Sequence, residues 1–89
     1  MLTRHVLVTG RVQGVGYRAW TRQAAVQRRL VGWVRNLDDG RVEAVLHGDE
    51  EDVLDMLDAM LQGPAMAQVD DLQSRAEEAQ PSNHFEVRG

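Results

Sequence analysis

Polar and apolar residues alternate from the start of the chain. Val6 and Val8 fall on one side, and His5, Leu7 and Thr9 on the other. This period of two predicts a strand over residues 4–9. Leu7 makes the second side apolar as well, so the strand is expected to be central. At Tyr17 the period lengthens. Tyr17, Trp20, Thr21, Ala24 and Ala25 share one helical face, which predicts a helix over residues 17–30 with Gly32 past its end. Residues 33–37 read as a second strand and 41–47 as a third, the latter with Val42, Ala44 and Leu46 inward. Between them Asp38-Asp39-Gly40 supplies the positive φ of a hairpin turn. Asp49-Glu50-Glu51-Asp52 sets acids at the positive end of a second helix. Its expected buried stripe is Val53, Leu54, Leu57, Met60 and Leu61, and Gly63-Pro64 ends it. Residues 69–76 and 84–88 are the last extended pieces, separated by a polar stretch.

The order is β-α-β-β-α-β with the last β section in two pieces. It predicts an α+β fold, the ferredoxin-like βαββαβ sandwich, with an antiparallel sheet and both helices on one face. Eighty-nine residues suit a single domain over residues 1–89. The chain has no cysteine, which excludes a disulfide framework, a thiolate zinc site and a cysteine nucleophile. No apolar run approaches a membrane span, and the N-terminus lacks the pattern of a cleaved leader. A soluble cytoplasmic protein with no membrane partner is expected, with a monomer as the plain default. The net charge of −4 argues against a nucleic-acid partner. The charge is also lopsided. Residues 1–41 carry eight arginines against two aspartates, and residues 42–89 carry two arginines against twelve acids. Every basic residue is Arg, which excludes any mechanism that needs a lysine.

The basic half contains Gly10-Arg11-Val12-Gln13-Gly14-Val15-Gly16-Tyr17-Arg18, between the first strand and the first helix. Glycine permits positive φ and close approach of another group. Successive N–H groups in such a turn form an anion nest, the helix adds its positive end, and Arg18 adds a planar fork of donors. The run reads as a phosphate site. Competing phosphate chemistries fit less well. Gly14-x-Gly16-x-x-Ala19 with Asp38 passes a relaxed dinucleotide fingerprint, but the second strand turns straight back into a hairpin where a doubly wound fold needs a helical crossover. A P-loop needs a lysine. His5, His47 and His84 have no paired metal-ligand spacing, and the acidic run at 49–52 lacks the spacing of a calcium loop. Asn36 closes the second strand. An amide there could hold a water, but on spacing alone the plainer role is that of a turn residue. The plain role of Trp20 and Trp33 is core packing, and the Tyr17 hydroxyl has no support as a catalytic group.

Taken together, that glycine-rich run and Gly32-Trp33-Val34-Arg35-Asn36-Leu37, followed by Asp39-Gly40-x-Val42-Glu43-Ala44, resemble the acylphosphatase family. Gly48-Asp49, Gly63-Pro64 and Phe85-Glu86-Val87-Arg88 extend the likeness over essentially the whole chain. The resemblance implies the ferredoxin-like sandwich. It also implies hydrolysis of the carboxyl–phosphate bond of small acyl phosphates, giving a carboxylate and inorganic phosphate with no metal or cofactor. It assigns phosphate binding to Arg18, water positioning to Asn36 in place of the turn role, and the cradle to the backbone of Gln13, Gly14, Val15, Gly16, Tyr17 and Arg18. Arg28, Arg29 and Val31 depart from the family pattern, with Arg29 standing where a helix-ending glycine is frequent. That bears on the helix end rather than on the site. Similar modules occur inside larger carbamoyl-transfer proteins that mature hydrogenases. Because this chain stops after its last strand, a free-standing enzyme is expected, with a non-catalytic phosphate-binding module as the alternative. The substrates that share the head group (acetyl, carbamoyl and glyceroyl phosphates) are not separated by the sequence.

Overall fold

The computed structural model describes every residue, Met1–Gly89. Seven elements follow one another: β1 (Leu2–Arg11), α1 (Tyr17–Gln27), β2 (Val31–Asn36), β3 (Val42–Gly48), α2 (Glu50–Gln62), β4 (Gln68–Ala76) and β5 (Phe85–Arg88). The strands form one sheet in the order β4-β1-β3-β2-β5. α1 lies over β2 and β5, and α2 over β4, β1 and β3. This is the expected α+β ferredoxin-like arrangement, and β1 is an interior strand as its apolar second face suggested. No helix is long and apolar enough to cross a membrane.

Several details differ from the sequence-based expectation. The sheet is mixed, because the two pieces of the last β section occupy opposite edges. β4 pairs antiparallel with β1, whereas β5 pairs parallel with β2. Residues 77–82 carry the chain past Trp33 and Val45, on the face away from the helices. β5 thereby covers the outer edge of β2, which would otherwise expose unpaired backbone groups. The second difference lies in α2. Val53, Met56 and Met60 are its buried residues, while Leu54 and Leu61 are half exposed, at 50% and 52%. Each of these leucines lies about 100° round the helix from the methionine or valine beside it, so the face met by the sheet is 53-56-57-60. Val6, Val8, Val34 and Leu46 form the sheet side of that core and are fully buried.

α1 ends at Gln27 rather than near residue 30. Arg29 takes the left-handed conformation, with φ 58°. Its N–H donates to the Val26 carbonyl, and the Leu30 N–H to the Ala25 carbonyl. This is the paired bonding of a Schellman end, where glycine is the usual residue. Leu30 is buried and leads directly into β2.

Two features of the chain path aim the β1–α1 loop. β1 slips register against β4 between Thr9 and Gly10, a bulge that bends the strand. Gly10 sits there at φ 136°, and a side chain would collide with the Gln68 backbone. Beyond it, Val12 is buried in the core and pins the loop against the sheet.

Candidate active site

The loop from Val12 to Gly16 turns on two glycines, Gly14 with φ 74° and Gly16 with φ 80°. A Cβ at either would meet nothing, so the constraint there is backbone conformation rather than space. Gly16 is the N-cap of α1, and the first turn of that helix holds no acid. α2 is the opposite case, with Glu50, Glu51 and Asp52 in its first turn. The positive end of α2 is therefore compensated from within the chain, while that of α1 is left for an external anion.

Gln13, Gly14, Gly16, Tyr17, Arg18 and Asn36 line one cavity of about 240 Å³. Six of the seven residues singled out from the sequence are thus brought together. Val15 is not on the lining and packs against the hydrophobic core. Two of the six side chains are committed elsewhere. The Gln13 amide donates to the carbonyls of Leu37 (2.8 Å) and Arg41 (3.0 Å), fastening the loop to the β2–β3 turn. The Tyr17 hydroxyl is buried and donates to the Met60 carbonyl at 2.7 Å, tying α1 to α2. Burial pushes its phenol well above the usual range, so the hydroxyl keeps its proton, and that proton is engaged by the Met60 carbonyl. Both residues meet the cavity through the loop and the first helical turn.

Arg18 and Asn36 remain as the polar side chains free to act. Arg18 Nη1 donates to the Arg88 carbonyl at 3.0 Å, which anchors one limb of the guanidinium to the end of β5. Arg has five N–H donors in a fixed plane, so the other limb is left for a ligand. Asn36, at the last position of β2, has its Oδ1 buried without a hydrogen-bond partner. A buried acceptor in this condition is costly and calls for a water or ligand donor. The remaining cavity wall is formed by the buried Val12 and by Ala19 and Val87, none of which sequence reasoning placed on the site. Alternation along residues 84–88 could have put Val87 on the face of Phe85, but nothing local told that this face meets α1.

The other sequence candidates lie elsewhere. His5 pairs with Glu43 at 2.7 Å, His47 with Thr3 at 2.6 Å, and His84 with Glu86 at 3.5 Å. Trp33 is on the open sheet face, not in the core, with the guanidinium carbons of Arg88 and Arg35 at 4.7 and 5.4 Å from its ring centre. A larger concavity, about 420 Å³, lies between the end of α1 and the start of α2. Arg28 and Arg29 line it together with Asp49 and Asp52, so its cations are matched by carboxylates, and no glycine loop lies on it.

The acylphosphatase family model matches residues 4–87. An acylphosphatase of Alcanivorax borkumensis is 58% identical over 98% of this chain and 99% of its own length. One from Haloarcula marismortui is 50% identical over 94% and 92%. The crystal structure of acylphosphatase from Bacillus subtilis superposes with a TM-score of 0.94 at 34% identity, covering 100% of both chains. With its glycine loop, helix end, arginine and buried asparagine gathered in one cavity, the chain belongs to the acylphosphatase family.

Proposed function

We propose that the chain hydrolyses the carboxyl–phosphate bond of small acyl phosphates by direct attack of water on phosphorus. The observation that carries this reading is the unpartnered Oδ1 of Asn36, on the same cavity as Arg18 and the glycine loop. A water donating to that oxygen has its own lone pair turned toward a phosphoryl group held by the loop. Fixing the water in line is an orientation effect. The phosphoryl oxygens lie against the free limb of Arg18 and the backbone N–H groups of residues 13–18. These donors favour the charge that spreads over the oxygens in the transition state.

An acyl phosphate brings a good leaving group, because the departing carboxylate is stable as an anion. The site therefore needs no strong base, and neither Arg18 nor Asn36 supplies one. The attacking water's proton passes to the phosphoryl group itself, the P–O bond to the carboxylate breaks, and inorganic phosphate and carboxylate leave. No metal or cofactor enters this scheme, and a single domain over residues 1–89 carries it.

Phosphate release from acetyl phosphate in excess chelator tests the proposal. Turnover is expected to survive the chelator and to fall ~100-fold in Asn36→Ala, with inhibition by inorganic phosphate little changed. Loss of activity with chelator, restored by a divalent cation, would sink the metal-independent scheme. Phosphate binding without turnover in the wild type would leave a binding module.

A further inference from the structure

One wall of the cavity is unused by this chemistry. Val87 is 41% exposed, although it lies opposite the buried Val34 in the parallel β2–β5 pair. Its side chain is therefore on the helix side of the sheet, beside the first turn of α1. Ala19, exposed in that turn, adds a second methyl to the same cavity. The next carbonyl along β5, that of Arg88, receives Arg18, so the apolar wall stands directly beside the phosphate-binding fork. A phosphoryl group takes the space of a few waters at roughly 30 Å³ each. A cavity of about 240 Å³ holds it and more.

Charge narrows what the extra space can hold. Arg18 is the one charged side chain on the lining. Three other arginines, none of them on the lining, are engaged elsewhere. Arg22 donates to the Phe85 carbonyl, Arg41 pairs with Asp39, and Arg88 lies over Trp33 and pairs with Glu86. A second anionic group on the substrate would meet no second cation on the cavity lining.

Resting on the hydrolytic reading above, we propose that Val87 and Ala19 receive the acyl substituent. The site then selects acyl phosphates whose acyl group is uncharged and apolar, and Val87 is a specificity-determining residue. Apolar surface of the substituent is removed from water against the two side chains, while the phosphoryl end stays on the loop.

The test compares benzoyl, acetyl and succinyl phosphates as substrates. In parallel, benzoylphosphonate and acetylphosphonate, whose C–P bonds are not hydrolysed, are titrated by calorimetry. Wild type is compared with Val87→Thr, which keeps β-branching and shape, and with Val87→Ala, thermal melts establishing that each is folded. Wild type is expected to favour benzoyl over acetyl and acetyl over succinyl in kcat/KM. Both variants are expected to lower the benzoyl-to-acetyl ratio about five-fold, below the range for a fully enclosed methylene, in turnover and in phosphonate affinity alike. A ratio unchanged in folded variants, or a wild-type preference for succinyl phosphate, overturns the proposal. The two readings fail separately. Phosphonate discrimination that depends on Val87 without any phosphate release would remove hydrolysis and keep the wall. Turnover with flat ratios would remove the wall and keep hydrolysis.

Discussion

Arg18 holds two positions at once, a bond to the Arg88 carbonyl at 3.0 Å and a place on the cavity lining. Only a planar group with donors on more than one nitrogen does both. Arg18→Lys is therefore expected to behave nearly as Arg18→Ala. A charge-assisted hydrogen bond is worth about 1.5–3 kcal/mol, so each variant should lose at least ~10-fold in kcat/KM. Near-normal turnover in Arg18→Lys would show that charge alone is required. Asn36 is the other residue whose partner is missing from the protein. Its type and position were visible in the chain; spacing alone favoured a turn residue, and only the resemblance to acylphosphatases assigned it the water. What spacing could not show is that Oδ1 is buried without a partner, on a residue that shares a cavity with the β1–α1 loop some twenty residues earlier.

At the scale of elements, each helix carries a test of its own. α1 closes on Arg29 at φ 58°, a conformation that costs an L-residue about 1–2 kcal/mol. Arg29→Gly removes that strain but adds the chain entropy of glycine. A net gain of ~0.5–1 kcal/mol in denaturant unfolding is expected, with turnover unaffected because the change lies at the far end of α1 from Gly16. A destabilised Arg29→Gly would mean that the arginine makes up for its backbone through contacts. In α2, Met56 is fully buried and Leu54 half exposed. Met56→Ala is expected to cost ~2–5 kcal/mol and Leu54→Ala within about 1 kcal/mol. Equal losses would place the helix in the register that hydropathy alone suggested. The periodicity of α2 was legible, but its angle was not, since Leu54 and Met56 satisfy a helical stripe about equally well.

The whole molecule divides its labour between two faces of one sheet. The helix face holds the core and, at one end, the cavity. The open face holds a polar network centred on Glu43, which accepts from His5 at 2.7 Å and from Arg35 at 2.5 Å. Burial pushes the Glu43 carboxyl upward, but the hydrogen bonds from His5 and Arg35 and their charges outweigh it, and the net shift is downward from 4.5. A carboxyl whose folded pKa is lowered adds stability above its unfolded pKa and loses it as pH falls through the folded value. Wild-type Tm should therefore fall more steeply below pH 4.5 than that of Glu43→Gln. Matching acid limbs would show that Glu43 contributes nothing. By itself the sequence determined what nearest-neighbour geometry controls: alternation in β1 and β3, the turn at Gly40, the left-handed glycines 14 and 16, and an arginine in the first turn of a helix without acids. Each depends on residues a few positions apart, whose steric and hydrogen-bonding limits travel with the chain. Tertiary structure alone decided that β5 runs parallel to β2 at the far edge, that Gln13 ties the loop to the hairpin, and that Val87 and the Arg88 carbonyl stand beside Arg18. Those contacts join segments up to seventy residues apart. They follow from the path the chain takes to bury its apolar faces together, which no local pattern encodes.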